Sequence, residues 1–395
     1  MLLTAVRALR FDGDHSRALE AIPPSKWPEF LALCDAAHIS LALAARRGNA
    51  APAELRSRLV RNAVRHERIL DAHREVTAAM EAHGVEFLVL KGLTHTGFWN
   101  DAGKHRPQYD IDLYVPPPMA GDAVRALESL GYGRCEEESR GSDHLPVMVR
   151  RTGWRWRGDY FDPDQPLAAE VHFRFCNPSL GFEASGAEGF WERRRIAEFD
   201  GVCLPALHPV DALHYACWHA LRHLLRGSLR ILHVYELAFF LDRSSSGHAF
   251  WTDVFREDWR KPGLAEGIVF RLASEWFGCR MHPAAKNSAD HLPANVEHWF
   301  RLFAFSPIHG VTRPNKDEVF LQLCLRRGQA GRRVLPRRLP GFWLDAHDRE
   351  ENLVLQLRRM LGRARFTASR ALHHARTLAP LIGSGFRWWR RRLPQ

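Results

Sequence analysis

Two aspartates separated by a single residue are the strongest chemical signal in the chain. Asp110 and Asp112 lie in Tyr109–Val115, among isoleucine, leucine, tyrosine and valine. This pattern predicts a strand, and residues two apart on a strand project from the same face. Two carboxylates held that close repel each other unless a cation lies between them, and magnesium prefers such oxygen ligands. A solvent-facing strand edge with two hydrated acids is the alternative interpretation.

A lysine and a glycine directly follow the preceding predicted strand, Val85–Leu90. Glycine lets the backbone approach a phosphate closely, the start of a helix favours an anion, and Lys91 adds a positive charge. Arg106, on the loop that enters the acidic strand, is placed to reach a triphosphate. Lys91, Gly92 and Arg106 are therefore candidate nucleotide-binding residues.

A third acid lies in the later predicted strand Leu167–Phe175. If this strand lies beside the one that carries Asp110 and Asp112, Glu170 completes a set of three carboxylates able to hold two metal ions. Such sites activate a nucleophile and stabilise in-line displacement at phosphorus. His172 follows two residues later and shares the face of Glu170, so it is a candidate to support the ligands or to contact nucleotide or acceptor.

The elements that position these residues alternate between strands and helices over 81–204, which indicates a small α/β core. The other predicted elements of this core are a helix over 121–130, a turn at 131–133 and a strand over 144–151. Helical spacing dominates on both sides, most clearly over 27–45, 52–80, 211–225 and 228–241. The predicted organisation is a helical cap (1–80), the core (81–204), a helical domain (205–343) and a basic amphipathic helical tail (344–395). The predicted fold class is therefore α+β.

The composition is that of an ordinary globular protein, with 46% hydrophobic and 26% charged residues among 395. The formal net charge is +11, and residues 358–395 carry ten arginines and no acid, so the remainder is nearly neutral. This excludes a uniformly basic protein that coats nucleic acid. The tail is compatible with a hydrated basic end, with peripheral contact to an anionic membrane, or with binding to nucleic acid or another acidic partner.

Cysteine usage and the absence of long apolar runs bear on the compartment. The seven cysteines are scattered and form no CxxC pair, which disfavours a disulfide scaffold or a thiolate zinc site. We recognise no secretory signal and no run of about 18 apolar residues, and we expect a cytoplasmic location. His219 and His223 lack the intervening glutamate of a zinc protease, and we expect them to line the contact between helices and core.

Three motifs together resemble an uncharacterised nucleotidyltransferase-like family of the DNA polymerase beta superfold: Leu90-Lys91-Gly92, Arg106…Asp110-Ile-Asp112-Leu and Glu170-Val-His172. Two helical segments are similar to the downstream pattern of that family: Leu213-His214…His219…His223 and Arg230–Leu237. The usual Gly-Ser of the superfold is replaced by Lys91-Gly92. A helical position that is often aspartate is Glu236 here.

The resemblance implies a small polymerase-beta-like core flanked by helices, and transfer of a nucleoside monophosphate from a nucleoside triphosphate to an unknown acceptor. It implies Mg²⁺ as cofactor, held by the catalytic residues Asp110, Asp112 and Glu170, with nucleotide contacts from Lys91, Gly92, Arg106 and His172. One alternative is an inactive nucleotide-binding or scaffold protein in a biosynthetic operon. Another is a toxin-like nucleotidyltransferase acting on tRNA or protein, although such relatives commonly have a second glycine where this chain has Leu93.

Overall fold

The computed structural model describes residues 1–96, 99–135, 143–150, 152–177, 187–256, 261–326 and 353–390. Seven strands occur in this part of the chain: β1 (Leu88–Val89), β2 (Asp110–Tyr114), β3 (Tyr132–Arg134), β4 (Met148–Arg150), β5 (Ala168–His172), β6 (Arg195–Phe199) and β7 (Val202–Ala206). They form one mixed sheet in the order β3-β4-β5-β2-β1-β7-β6.

The acidic strand lies at the centre of this sheet. β2 is antiparallel to β1 and parallel to β5, in a register that places Asp112 opposite Glu170. The condition stated for a set of three carboxylates, that these two strands are neighbours, is therefore met. Ile111 and Leu113 are fully buried in a hydrophobic cluster on one face of the sheet. The alternating aspartates therefore project from the other face.

Helices cover both faces of the sheet and account for most of the chain. In chain order the described helices are α1 (Leu2–Ala8), α2 (Trp27–Ala36), α3 (Ser40–Arg47), α4 (Ala53–Ala82), α5 (Ala120–Ser129), α6 (Pro209–Leu225), α7 (Ile231–Arg243), α8 (His248–Val254), α9 (Leu264–Phe277), α10 (Pro283–Asp290), α11 (Ala294–Phe303), α12 (Ser306–Gly310), α13 (Glu318–Leu325) and α14 (Leu353–Arg390). α4 and α5 pack on the apolar face of β2, whereas α6 and α7 lie over the acidic face. The predicted α+β fold class is confirmed.

Two parts of the sheet differ from the sequence-based expectations. Residues 131–133 are predicted as a turn, but Tyr132–Arg134 pairs with β4 as a strand. β6 and β7 form an antiparallel edge hairpin around Asp200 and Gly201, whose φ angles of 47° and 76° suit a tight two-residue turn. The Asp-Gly pair is the sequence signal for this hairpin, and β7 continues to Ala206, beyond the predicted core boundary at 204.

The helical predictions agree with the structure more closely than the strand boundaries do. The predicted segment 27–45 is two helices, broken near His38, which has a φ of 63°. The predicted amphipathic tail helix is α14, and the rest of that segment, 344–352 and 391–395, lies outside the described residues. None of the described helices alone is long and apolar enough to span a membrane; one pair bent by 111°, Pro24–Ala36 with Ser40–Ala50, meets that requirement jointly.

Candidate functional site

The three predicted carboxylates lie on one face of two neighbouring strands. Asp112 on β2 is fully buried and lies directly across from Glu170 on β5. Asp110 is opposite Ala168, and its side chain is about one-third exposed. The parallel pairing of β2 with β5 thus places Asp112 and Glu170 at the same level of the sheet, with Asp110 nearer to solvent.

Lys91 is the cation closest to the aspartates. Its Nζ lies 2.6 Å from Oδ2 of Asp112 and 3.8 Å from Oδ2 of Asp110. Lys91 follows β1, and β1 is paired with β2, so the pairing of the two strands places the Lys91 ammonium beside the aspartates. Sequence reasoning assigned Lys91 to phosphate; here it neutralises the aspartate pair.

Gly92 is required by the turn that follows Lys91. Its φ is +81°, and a Cβ at this position would lie 2.5 Å from Nε2 of Gln108. That amide nitrogen donates a hydrogen bond of 2.9 Å to the backbone oxygen of Asp110. Arg65 of α4 in turn donates to the backbone oxygen of Gln108 at 2.9 Å. Gln108 and Arg65 therefore fix the entry into the acidic strand, a role that sequence reasoning did not assign.

His172 is buried within the carboxylate cluster rather than at its edge. Its Nε2 is 3.3 Å from Oδ1 of Asp112 and 3.6 Å from Oε2 of Glu170. Its Nδ1 lies 3.8 Å from Oδ2 of Asp143, which forms a buried ion pair with Arg222 of α6. This ion pair ties the core to the helical region and was not recognisable from the sequence.

The protonation states follow from burial and from these contacts. Burial and the neighbouring Asp112 raise the pKa of Asp110. Burial also favours neutral Asp112, but the Lys91 ammonium and the hydrogen bond from His172 outweigh it and lower the pKa of Asp112. Against the same burial, His172 holds the pKa of Glu170 well below its usual value. Burial opposes a charge on His172, yet the hydrogen bond to Asp112 and the nearby Glu170 carboxylate raise its pKa to about 9.

The residues whose ligand atoms lie close enough to share a metal ion include His172 where Asp110 was predicted. Ligand atoms of Asp112, Glu170 and His172 all lie within 4.8 Å of one another. The predicted ligands were Asp110, Asp112 and Glu170. The structure brings Asp112 and Glu170 together, while the ammonium of Lys91 lies close to both Asp110 and Asp112.

Arg106 lies near the site but is already paired. Its Nε donates to Oε1 of Glu236 at 2.7 Å, and both side chains are almost fully buried. Nδ1 of His95 is 3.6 Å from the other carboxylate oxygen. Burial would raise the pKa of Glu236, but Arg106 lowers it to about 2. Glu236, whose role the sequence left unassigned, thus joins α7 to the loop before β2.

A small cavity lies between the acidic face and the helices above it. Six of its lining residues come from three sources: Lys91 and Arg106 from the core, Tyr215 and His219 from α6, and His233 and Glu236 from α7. The space open to the centre of a water molecule is about 20 Å³, room for roughly one water. A nucleotide is far larger, so its entry requires these side chains to move.

Comparison with known proteins agrees with the motifs. The family model described as uncharacterised nucleotidyltransferase matches residues 23–278, well over half of the chain, and this range contains every site residue above. No curated protein and no solved structure matches the chain. The resemblance seen in the sequence is confirmed: the chain belongs to the uncharacterised nucleotidyltransferase family.

Proposed function

We propose that the protein transfers a nucleoside monophosphate from a nucleoside triphosphate to an acceptor, with the help of a divalent metal, Mg²⁺. The observation that carries this proposal is the group formed by Asp110, buried Asp112 and Glu170, whose charge Lys91 and His172 only partly neutralise. Three carboxylates face two cations, so the cluster retains an attraction for a further positive charge.

The donor set fits the proposed metal. Oδ2 of Asp112 is buried and accepts no hydrogen bond of good geometry, although the Lys91 ammonium lies 2.6 Å from it. Carboxylate oxygens are the ligands that Mg²⁺ prefers, and the low pKa of Glu170 keeps that carboxylate ionised and ready to ligate. When bound, the metal would neutralise charge on the phosphates and activate the acceptor oxygen. Asp112 and Glu170 would hold it, together with Asp110 once Lys91 moves away.

Each remaining residue has a defined part in this proposal. Lys91 would move from the aspartates to a phosphate oxygen when the metal arrives, so that one cation replaces another. The backbone turn at Gly92 would approach the phosphates. Arg106, held by its ion pair with Glu236, lines the cavity and would donate a hydrogen bond to a phosphate oxygen. His172 would hold the carboxylates of Asp112 and Glu170 in their positions relative to each other. The new bond joins the acceptor oxygen to the α-phosphorus, while pyrophosphate leaves and the hydroxyl proton passes to solvent.

A thermal-shift panel of the four ribonucleoside triphosphates, with and without Mg²⁺, tests the binding step. Ligand at 100 times its dissociation constant stabilises a protein by about 2.7 kcal/mol, which gives a clear rise in Tm. We expect a Mg²⁺-dependent rise in the wild type and in Asp122→Asn, an exposed aspartate of α5, but none in Asp110→Asn/Asp112→Asn. An equal rise in the double variant would refute the proposed site.

Label transfer tests the catalytic step. Incubation with an α-labelled triphosphate should release pyrophosphate and label an acceptor in a cell extract or the protein itself. Nucleotide binding without any label transfer or pyrophosphate release would contradict the proposed catalysis and favour an inactive nucleotide-binding protein.

A further inference from the structure

The C-terminal helix α14 is attached to the rest of the protein along one face near its end. Trp388 is fully buried, with its ring centroid 5.3 Å from that of Phe320, and its backbone oxygen is 3.1 Å from Nε2 of His298. Thr377 and Ser384 are buried as well. Trp388 is therefore a packing residue, and its ring is not available to a partner.

A different face of the same helix is apolar and exposed. Leu378, Ile382 and Phe386 recur every four residues and share this face, where Ile382 is 53% and Phe386 73% exposed. At 3.6 residues per turn Trp388 points about 120° away from Ile382, so the buried and the exposed face of the helix are distinct. The helix has 38 residues, which corresponds to a length of about 57 Å.

The charge of this segment complements an anionic surface. Residues 358–395 contain ten arginines and no acidic residue. Arg365, Arg376 and Arg390 are exposed on the helix. An apolar stripe bordered by arginines is the pattern of helices that lie in the interface of a membrane.

We propose that α14 lies on an anionic lipid surface, with Leu378, Ile382 and Phe386 among the acyl chains and the arginines at the lipid phosphates. If two copies met through this segment, ten more arginines would lie against the first ten, and the segment has no acidic residue to offset the repulsion. Nucleic acid would satisfy the arginines but leave the apolar face in water. An anionic lipid surface accommodates both properties at once.

This inference does not depend on the proposed transfer activity. The family match ends at residue 278, so α14 lies outside it, and none of the site residues belongs to the helix. The role of α14 would be to hold the protein at a membrane, whatever reaction the core performs.

Co-sedimentation of the full chain with vesicles tests the proposal. The vesicles contain phosphatidylcholine alone or with about one-third phosphatidylglycerol. We expect binding to the anionic vesicles, weakened by salt, and a loss of roughly tenfold or more in Ile382→Glu/Phe386→Glu. The matched control is Val60→Glu/Val64→Glu, an equally spaced pair on α4 that is 66% and 52% exposed and should bind as the wild type does.

Three results would overturn the proposal. The first is no binding to anionic vesicles, or equal binding to both kinds. The second is undiminished binding by Ile382→Glu/Phe386→Glu, with a melting curve showing that the variant is folded. The third is RNA binding in place of vesicle binding, or a dimer in sedimentation equilibrium that the same two substitutions dissociate.

Discussion

Glu266 and Asp112 are both fully buried carboxylates, but the groups that balance their charges differ. Glu266 on α9 accepts hydrogen bonds of 2.8 Å from His214 and from Trp218, and its other oxygen accepts one of 2.7 Å from the backbone nitrogen of Gly263. Asp112 on β2 instead faces the ammonium of Lys91 and the imidazole of His172, with further carboxylates beside it. Both groups are inaccessible to solvent.

The difference separates a carboxylate with fixed hydrogen-bond donors from one whose charge is balanced by the side chains of Lys91 and His172. The donors to Glu266 belong to α6 and to Gly263, the residue directly before α9, so folding itself fixes them. The positive charge beside Asp112 sits on the long side chain of Lys91, which the proposed function requires to move away. The nearby Glu170 carboxylate disfavours the negative charge of Asp112. Burial alone therefore does not distinguish the two carboxylates; a lysine and further carboxylates beside Asp112 do.

The largest expected effect is the loss of activity in Asp112→Asn. Removing this charge leaves the proposed metal without its central ligand, so nucleotidyl transfer should fall by roughly a thousandfold or more. The measurement is pyrophosphate release under saturating nucleotide. Asp122→Asn serves as the control, and a transfer rate in Asp112→Asn close to that of the wild type would remove Asp112 from the reaction.

Glu236→Gln should mainly reduce stability, because it leaves Arg106 buried without its partner. We expect a loss of about 3 kcal/mol in the free energy of unfolding at pH 7, measured in urea. The pKa of Glu236 is lowered on folding, so its contribution is complete above about pH 4.5, the value for an unfolded glutamate, and is lost as the pH falls towards about 2. The difference in the free energy of unfolding between the wild type and Glu236→Gln should therefore become smaller below pH 4.5. A difference that does not change with pH would show that the carboxylate charge is irrelevant.

Glu266→Gln should cost about 2 kcal/mol, since an amide replaces one acceptor oxygen among three fixed donors. The Mg²⁺-dependent affinity for nucleotide should be unchanged in this variant, as measured by calorimetry below its melting temperature. If the nucleotide affinity of Glu266→Gln fell together with its stability, Glu266 could not be called a purely structural carboxylate in contrast to Asp112.

The smallest expected effect concerns the exchange of cations. Lys91→Met removes the charge beside Asp110 and Asp112, so without metal its stability should drop by about 1 to 2 kcal/mol. Mg²⁺ alone should then raise its Tm by more than it raises that of the wild type, because no ammonium competes with the metal. An equal rise in Tm on addition of Mg²⁺ in Lys91→Met and in the wild type would mean that the Lys91 ammonium and the metal do not compete for one site.

The sequence predicted the parts of this arrangement that depend on local spacing. The two-residue period of β2 places Asp110 and Asp112 on one face, and the same period links Glu170 to His172. The helices α4, α6 and α7 follow from apolar periodicity. The sequence predicted a phosphate contact for Arg106 but not its ion pair with Glu236. The two residues are 130 positions apart, and no local pattern encodes such a contact.

Three other features escaped prediction for different physical reasons. Asp143 and Arg222 are separated by 79 positions and meet only when α6 packs over the sheet. The edge hairpin of β6 and β7 has a short, half-exposed first strand with weak alternation, so that only the Asp200-Gly201 turn marked it. Trp388, in an arginine-rich segment, resembles an exposed aromatic until α11 and α13 are seen to enclose it.

Titration with Mn²⁺, followed by electron paramagnetic resonance, tests the central claim most directly, because the signal of the free ion disappears when the ion binds. The account predicts saturable binding to the wild type and to folded Glu266→Gln, and loss of that binding in Asp112→Asn. Equal binding by Asp112→Asn and the wild type, or loss of binding in Glu266→Gln alone, would contradict the assignment of the exchangeable cation site to β2 and β5.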